Sequence, residues 1–255
     1  MKNHYIQKKF IEYFCGNNGI LIYDILNNKI LHKHTSANNI AVSNDLYHFD
    51  FIYYPDEQIE KDLKFVEDNG LDIVIKIAKS ETLPNDVDLA KLISYFFYQS
   101  KRIPFNNEAK QEEIRKLNKI CKTSVFNDLP IFELYCEKTN IKSIKSILKN
   151  YTIYLLKHNE PIFFITDCFC GVLQNNLEQV IPITRYLALY LVPKYSKQIV
   201  PLSLKNGVAN LISDNEYLTL LPFFALSYKQ FAFASYTEKN CNLLPNIFKL
   251  IKKYN

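Results

Sequence analysis

With 255 residues, 48% of them apolar and 22% charged, the chain has the composition of a globular protein and the length to bury a sizeable core. It has only five glycines, and neither a G-x-x-x-x-G-K-S/T nor a G-x-G-x-x-G run occurs, which excludes the common nucleotide-cradling motifs. A formal net charge of +5 permits an anionic partner such as nucleic acid without requiring one.

Phe10, Ile11 and Phe14 fall at helical spacing and predict one short amphipathic helix over residues 4–14. Cys15-Gly16-Asn17-Asn18-Gly19 ends it with residues that tolerate positive φ. The runs 20–25 and 29–33 flank Leu26-Asn27-Asn28 and predict a β-hairpin. His32 and His34 share one face of its second strand, a metal pair with no third ligand near in sequence. Residues 46–49 and 51–54 predict a further extended stretch.

Pro55-Asp56 opens a helix predicted from Glu57 to Lys79, which Gly70 is expected to kink or divide. Glu60 and Glu67 lie two turns apart on nearly one face, where two carboxylates can hold a metal or exchange protons. Glu60 also has Lys64 four residues on, the favoured order for a surface ion pair. Residues 86–102 form the most apolar helix, with Asp86 or Asn85 to cap its start and Pro104 to close it. Gln99 and Arg102 share a face near its end, and a guanidinium there calls for a carboxylate or phosphate.

Charged residues 107–122 predict a surface helix, and 132–136 and 141–148 two short ones. Lys142, Lys145 and Lys149 make a basic stripe along the last. Residues 151–156 and the apolar run Ile162-Phe163-Phe164-Ile165 predict two strands joined as a hairpin across 157–160. The second delivers Thr166 and Asp167 to the edge of the core, where Asp167 can either serve a site or cap the turn before Gly171. Residues 180–183 and 186–192 predict further strands of the same sheet, and 205–226 and 243–253 predict helices. The expected fold is α+β, a single domain with a small, mainly antiparallel sheet packed by several helices.

Six cysteines occur without a C-x-x-C pair, and the first residues lack the apolar core of a secretory signal. A cytoplasmic protein with reduced thiols is therefore expected. Cys168 and Cys170 share a face if their strand continues, and a buried thiol role suits them better than a metal site. Charge interrupts every apolar stretch before it reaches about 18 residues, so no transmembrane helix is expected.

Four segments together resemble the DUF4238 family, a bacterial family of unknown function. His4-Tyr5-Ile6 followed by Phe10-Ile11 and Phe14 resembles its opening; Ile59-Glu60 with Glu67 resembles its Ile-Glu-x-x-Leu-x-x-x-Glu helix. Gln99-x-x-Arg102-x-Pro104 resembles its Gln-x-x-Arg-x-Pro helix end, and Ile165-Thr166-Asp167 its Phe-Ile-Thr-Ser-Asp-Asn-Pro strand. Gln7 stands where the family has Pro, and Cys168-Phe169 where it has Asn-Pro. The resemblance implies a shared fold and a shared set of polar residues, without a reaction.

Gathered in one site, these residues divide by chemistry. His4, Glu60 and Asp167 are the candidate acid–base residues, Gln99 and Arg102 the candidate phosphate holders. Glu67 and Asp167 are the candidate ligands of a divalent metal such as Mg²⁺. With a basic chain, the expected activity is phosphodiester hydrolysis of nucleic acid by a nuclease-like effector. The alternative is a non-catalytic nucleotide or nucleic-acid binding protein that uses the same pocket.

Overall fold

The hairpin expected near the N-terminus forms because Asp24 organises its turn. In the computed structural model, which describes residues 2–4, 6–44, 56–101, 147–167, 177–195, 200, 202–224 and 230–254, the Asp24 carboxylate accepts from both the backbone N–H and the side-chain amide of Asn27, at 2.9 and 2.8 Å. Asn28 takes a positive φ of 52°, a conformation that Asn tolerates better than most residues. Strands β2 (Ile20–Asp24) and β3 (Lys29–Thr35) pair antiparallel on either side.

The helix predicted to begin at His4 starts later. Residues Lys2–His4 are a strand, β1, paired antiparallel with β4 (Val42–Asn44), and the helix α1 is confined to Lys8–Glu12. The strand's partner lies some forty residues away, out of reach of a local periodicity argument. Helix α2 runs without interruption from Asp56 to Ser80, so Gly70 does not divide it. Helix α3 (Asp86–Lys101) begins at the expected cap: Asn85 Oδ1 accepts from the Asp88 N–H at 2.9 Å.

Two four-stranded sheets follow. The first has the order β3-β2-β10-β6, with β6 at Phe164–Thr166 and β10 at Phe231–Ser235, all antiparallel. The second has the order β7-β8-β5-β9, built from β5 (Tyr151–Lys157), β7 (Gln179–Pro182), β8 (Leu187–Pro193) and β9 (Ala209–Leu211). Within it only β5 and β9 are parallel. The α+β class holds, but the hairpin predicted across 157–160 does not: β5 pairs with β8 and β9, whereas β6 pairs with β10 in the other sheet. The segment between them crosses over, held by His158 N–H to Tyr186 O at 2.9 Å and Phe163 N–H to Arg185 O at 3.1 Å.

The predicted helix over 205–226 is likewise divided. Its first part is β9, and Ser213 and Glu216 then form a reciprocal capping box that starts helix α4 (Asp214–Leu220). Helix α5 (Glu238–Tyr254) begins five residues before the expected 243, and residues 147–150 are helical. The expectations for 46–54, 107–146 and Cys168 with Cys170 fall outside the described residues. One buried apolar cluster joins both sheets: it takes in Phe10, Phe14, Leu21 and Phe233 with Leu155, Leu189 and Tyr190.

Candidate functional site

Gly70 decides how closely α2 can approach α3. A Cβ at this position would lie 2.2 Å from Cγ of Tyr95 and 2.4 Å from its Cβ, so only glycine lets the tyrosine ring root sit against the α2 backbone. One turn before Gly70 on α2 stands Glu67; one turn after Tyr95 on α3 stands Gln99. The close approach joins them: the Gln99 side-chain amide donates to Glu67 Oε1 at 2.9 Å.

A third element completes the arrangement. The Gln7 backbone N–H, just ahead of α1, donates to Gln99 Oε1 at 3.1 Å, and the Tyr95 hydroxyl donates to Gln7 Oε1 at 2.8 Å. Tyr95 and Gln99 are essentially inaccessible and Glu67 is only 8% exposed. Around them lie Phe10, Phe14 and Phe96, with the Phe10 and Tyr95 ring centroids 5.9 Å apart in an edge-on contact. A run of hydrogen bonds in such a bed is strong when every member is satisfied and costly otherwise, and here each bond fixes the next. The glutamine amide is oriented by Gln7, and it in turn orients the Glu67 carboxylate.

The other sequence-derived site residues are placed unevenly. His4 ends β1 opposite Val42, three residues before Gln7. Glu60 lies on α2 two turns before Glu67, about 10.5 Å along the axis. Arg102 lies outside the described residues, and so does its expected contact with Asp167 or Glu60. Gln99 meets Glu67.

Asp167 follows β6 directly and is 6% exposed. Its Oδ2 accepts from the backbone N–H groups of Gln230 and Phe231 at 2.8 and 3.1 Å, while its own N–H donates to Phe231 O at 2.9 Å. Across β10 lies Asp24, also buried, whose Oδ2 accepts from the Gln230 side chain at 2.9 Å. Burial alone would raise the Asp24 pKa, but the donors of Asn27, Gln230 and Leu26 outweigh it and hold the carboxyl below its ordinary range. Both aspartates thus fasten the start of β10 to its neighbours. Of the two aspartates, sequence reasoning singled out only Asp167; Gln7 stood out only as a departure from the family's opening pattern, and Tyr95, Asp24 and Gln230 had no motif to reveal them.

A second polar group gathers at the crossover. His158 Nδ1 lies 3.0 Å from the Glu160 N–H and 3.2 Å from the Glu160 carbonyl, and its Nε2 lies 3.0 Å from Asp214 Oδ1. Lys239 Nζ spans Asp214 Oδ1 at 2.6 Å and Glu160 Oε2 at 3.1 Å. A histidine oriented by a carboxylate is half of an acid–base relay, but both ring nitrogens are engaged here. The group ties α4 and α5 to the crossover.

Among the described residues no three His, Cys, Asp or Glu side chains come together to hold a metal ion. His32 and His34 lie on β3. Neither Cys15 nor Cys241 is in a disulfide, and burial, with Glu12 nearby, pushes the Cys15 thiol upward. Among the described residues no helix is long and apolar enough to cross a membrane. Comparison with protein-family models, with curated proteins and with solved structures finds no match for the chain.

Proposed function

We propose that this is a DUF4238-like phosphodiester hydrolase acting on nucleic acid, with its site where the Gln7 segment meets α2 and α3. The observation that carries it is the buried Glu67 carboxylate, oriented by Gln99 and through it by Gln7. A satisfied polar chain of this kind holds the carboxylate in one orientation, the preorganisation that a reacting or metal-binding group needs. In this proposal His4 and Glu60 move protons, and Arg102 holds the phosphate. Glu67 and Asp167 are the candidate ligands for a divalent cation such as Mg²⁺, which would supply charge stabilisation at the phosphate. Gln99, with one end of its amide on Gln7 and the other on Glu67, acts as a positioning residue. Its deep burial fits that role better than direct contact with substrate.

One observation favours the non-catalytic alternative, a nucleotide or nucleic-acid binding protein. Asp167 Oδ2 is committed to two backbone N–H groups, a fastening role that needs no reaction. The two proposals separate in one assay: cleavage of single- and double-stranded RNA and DNA, with and without Mg²⁺. We expect turnover by the unaltered protein and at least a hundredfold loss in Glu67→Gln, roughly what losing one electrostatic group at a reacting centre costs. Glutamine still accepts from Gln99, so the melting temperature should stay near that of the parent. A folded parent protein that cleaves nothing under any metal condition, yet binds nucleic acid, would establish the alternative.

A further inference from the structure

The most exposed large side chain among the described apolar and aromatic residues is Tyr195, at 85%. Tyr23, Tyr95, Tyr190 and Tyr217 are all packed away, so the chain does bury tyrosine where packing allows. Tyr195 sits in the turn directly after β8. That turn is anchored: the Lys194 N–H donates to Asn150 O at 2.8 Å, continuing the β5–β8 ladder beyond Tyr151 and Pro193. The Lys194 ammonium reaches the carbonyls of Lys149 and Leu148, at 3.0 and 3.4 Å, and so sits at the C-terminal end of the 147–150 helical turn. Lys149, also exposed, lies on that turn.

An exposed ring at the end of a sheet strand, with one exposed lysine next to it in the chain and a second on the helical turn that this lysine caps, matches what an unpaired nucleic-acid strand needs. Its bases offer π-faces to a ring, and its phosphates offer negative charge to lysines. A duplex already stacks its bases on one another and has no face to give. We infer that the turn at the end of β8 is a stacking platform for single-stranded nucleic acid, with Tyr195 as the base contact and Lys149 and Lys194 as the phosphate contacts. This inference rests on the nucleic-acid partner proposed above and specifies where that partner touches.

Fluorescence anisotropy of a labelled oligothymidylate about a dozen nucleotides long tests it, with Mg²⁺ chelated so that binding is read apart from turnover. Tyr195→Ala should weaken binding roughly tenfold, and Tyr195→Phe should bind like the parent, because stacking uses the ring and not the hydroxyl. Lys149→Gln should lower the slope of log affinity against log salt by about 0.7, the value for one phosphate contact on a single strand. Equal binding by Tyr195→Ala and the parent would overturn the platform while leaving the nucleic-acid partner standing. So would a parent that binds blunt duplex as tightly as the single strand. A parent that binds neither overturns both.

Discussion

Gly70 shows how one missing side chain sets the geometry of a site. An alanine in a helix interior is ordinarily better than glycine by about 1 kcal/mol. Here its methyl would land 2.2 Å from the root of the Tyr95 ring, where no rotation of the ring relieves the clash. Overpacking of this kind costs about 1–3 kcal/mol, and forced helix separation would also stretch the bonds from Tyr95 to Gln7 and from Gln99 to Glu67. We therefore expect Gly70→Ala to lower the melting temperature by a few degrees, at about 2–4 °C per kcal/mol for a chain of this size. A variant as stable as the parent, or more so, would mean that the helices part freely. Glu67 and Gln99 were legible as motif residues on two helices. Their direct bond was not, because it depends on a glycine whose local signature predicts only a weak helix.

At the scale of elements, α4 and α5 are held to the β5–β6 crossover by charge, and the sign of its pH dependence follows. The hydrogen bond from Lys239 leads in holding the Asp214 carboxyl below its ordinary value, and outweighs the opposing burial. The N–H and hydroxyl of Ser213 do the same for Glu216 in the capping box. A carboxylate with a depressed folded pKa adds stability that is fully present above its unfolded value of about 4. That stability is lost as pH falls through the lower folded value. Lys239 has the opposite sense: burial pulls its pKa down, but Asp214 and Glu160 more than compensate and raise it. Its contribution therefore persists below about 10.4 and fades only as pH rises through the folded value. Lys239→Gln should accordingly flatten the fall in melting temperature below about pH 4 while costing less than about 1 kcal/mol at neutral pH, since Asp214 is largely exposed. Melting curves across that range check it; an unchanged acid limb would show that the lysine holds nothing. The clasp left no trace in the sequence, since His158, Asp214 and Lys239 come from three distant segments.

For the whole molecule, strands were easier to read than their partners. The runs at 20–25, 151–156, 180–183 and 186–192 each became a strand, because apolar β-branched residues bounded by turns are a local signal. The assignment of β6 to the first sheet rests on β10, which joins it sixty-odd residues later, and Phe231-Ala232-Phe233-Ala234 is too ambiguous a run to announce a central strand. Interleaving of this kind has a thermodynamic consequence. The buried cluster passes from Phe233 on β10 in one sheet to Leu189 on β8 in the other without a break. Neither sheet can then lose its packing alone without exposing the face of the other. Phe233→Ala and Leu189→Ala each remove buried carbon at a cost of about 2–5 kcal/mol. Both should lower one common transition and leave its cooperativity intact. The check is to follow each variant by far-ultraviolet circular dichroism and by the near-ultraviolet tyrosine signal, to which Tyr23 in the first sheet and Tyr190 in the second contribute. The two probes should melt together in both variants. A Leu189→Ala protein that loses part of its near-ultraviolet tyrosine signal well before its secondary structure would mean that the sheets are separate folding units, and the continuous core would then contribute packing without cooperativity.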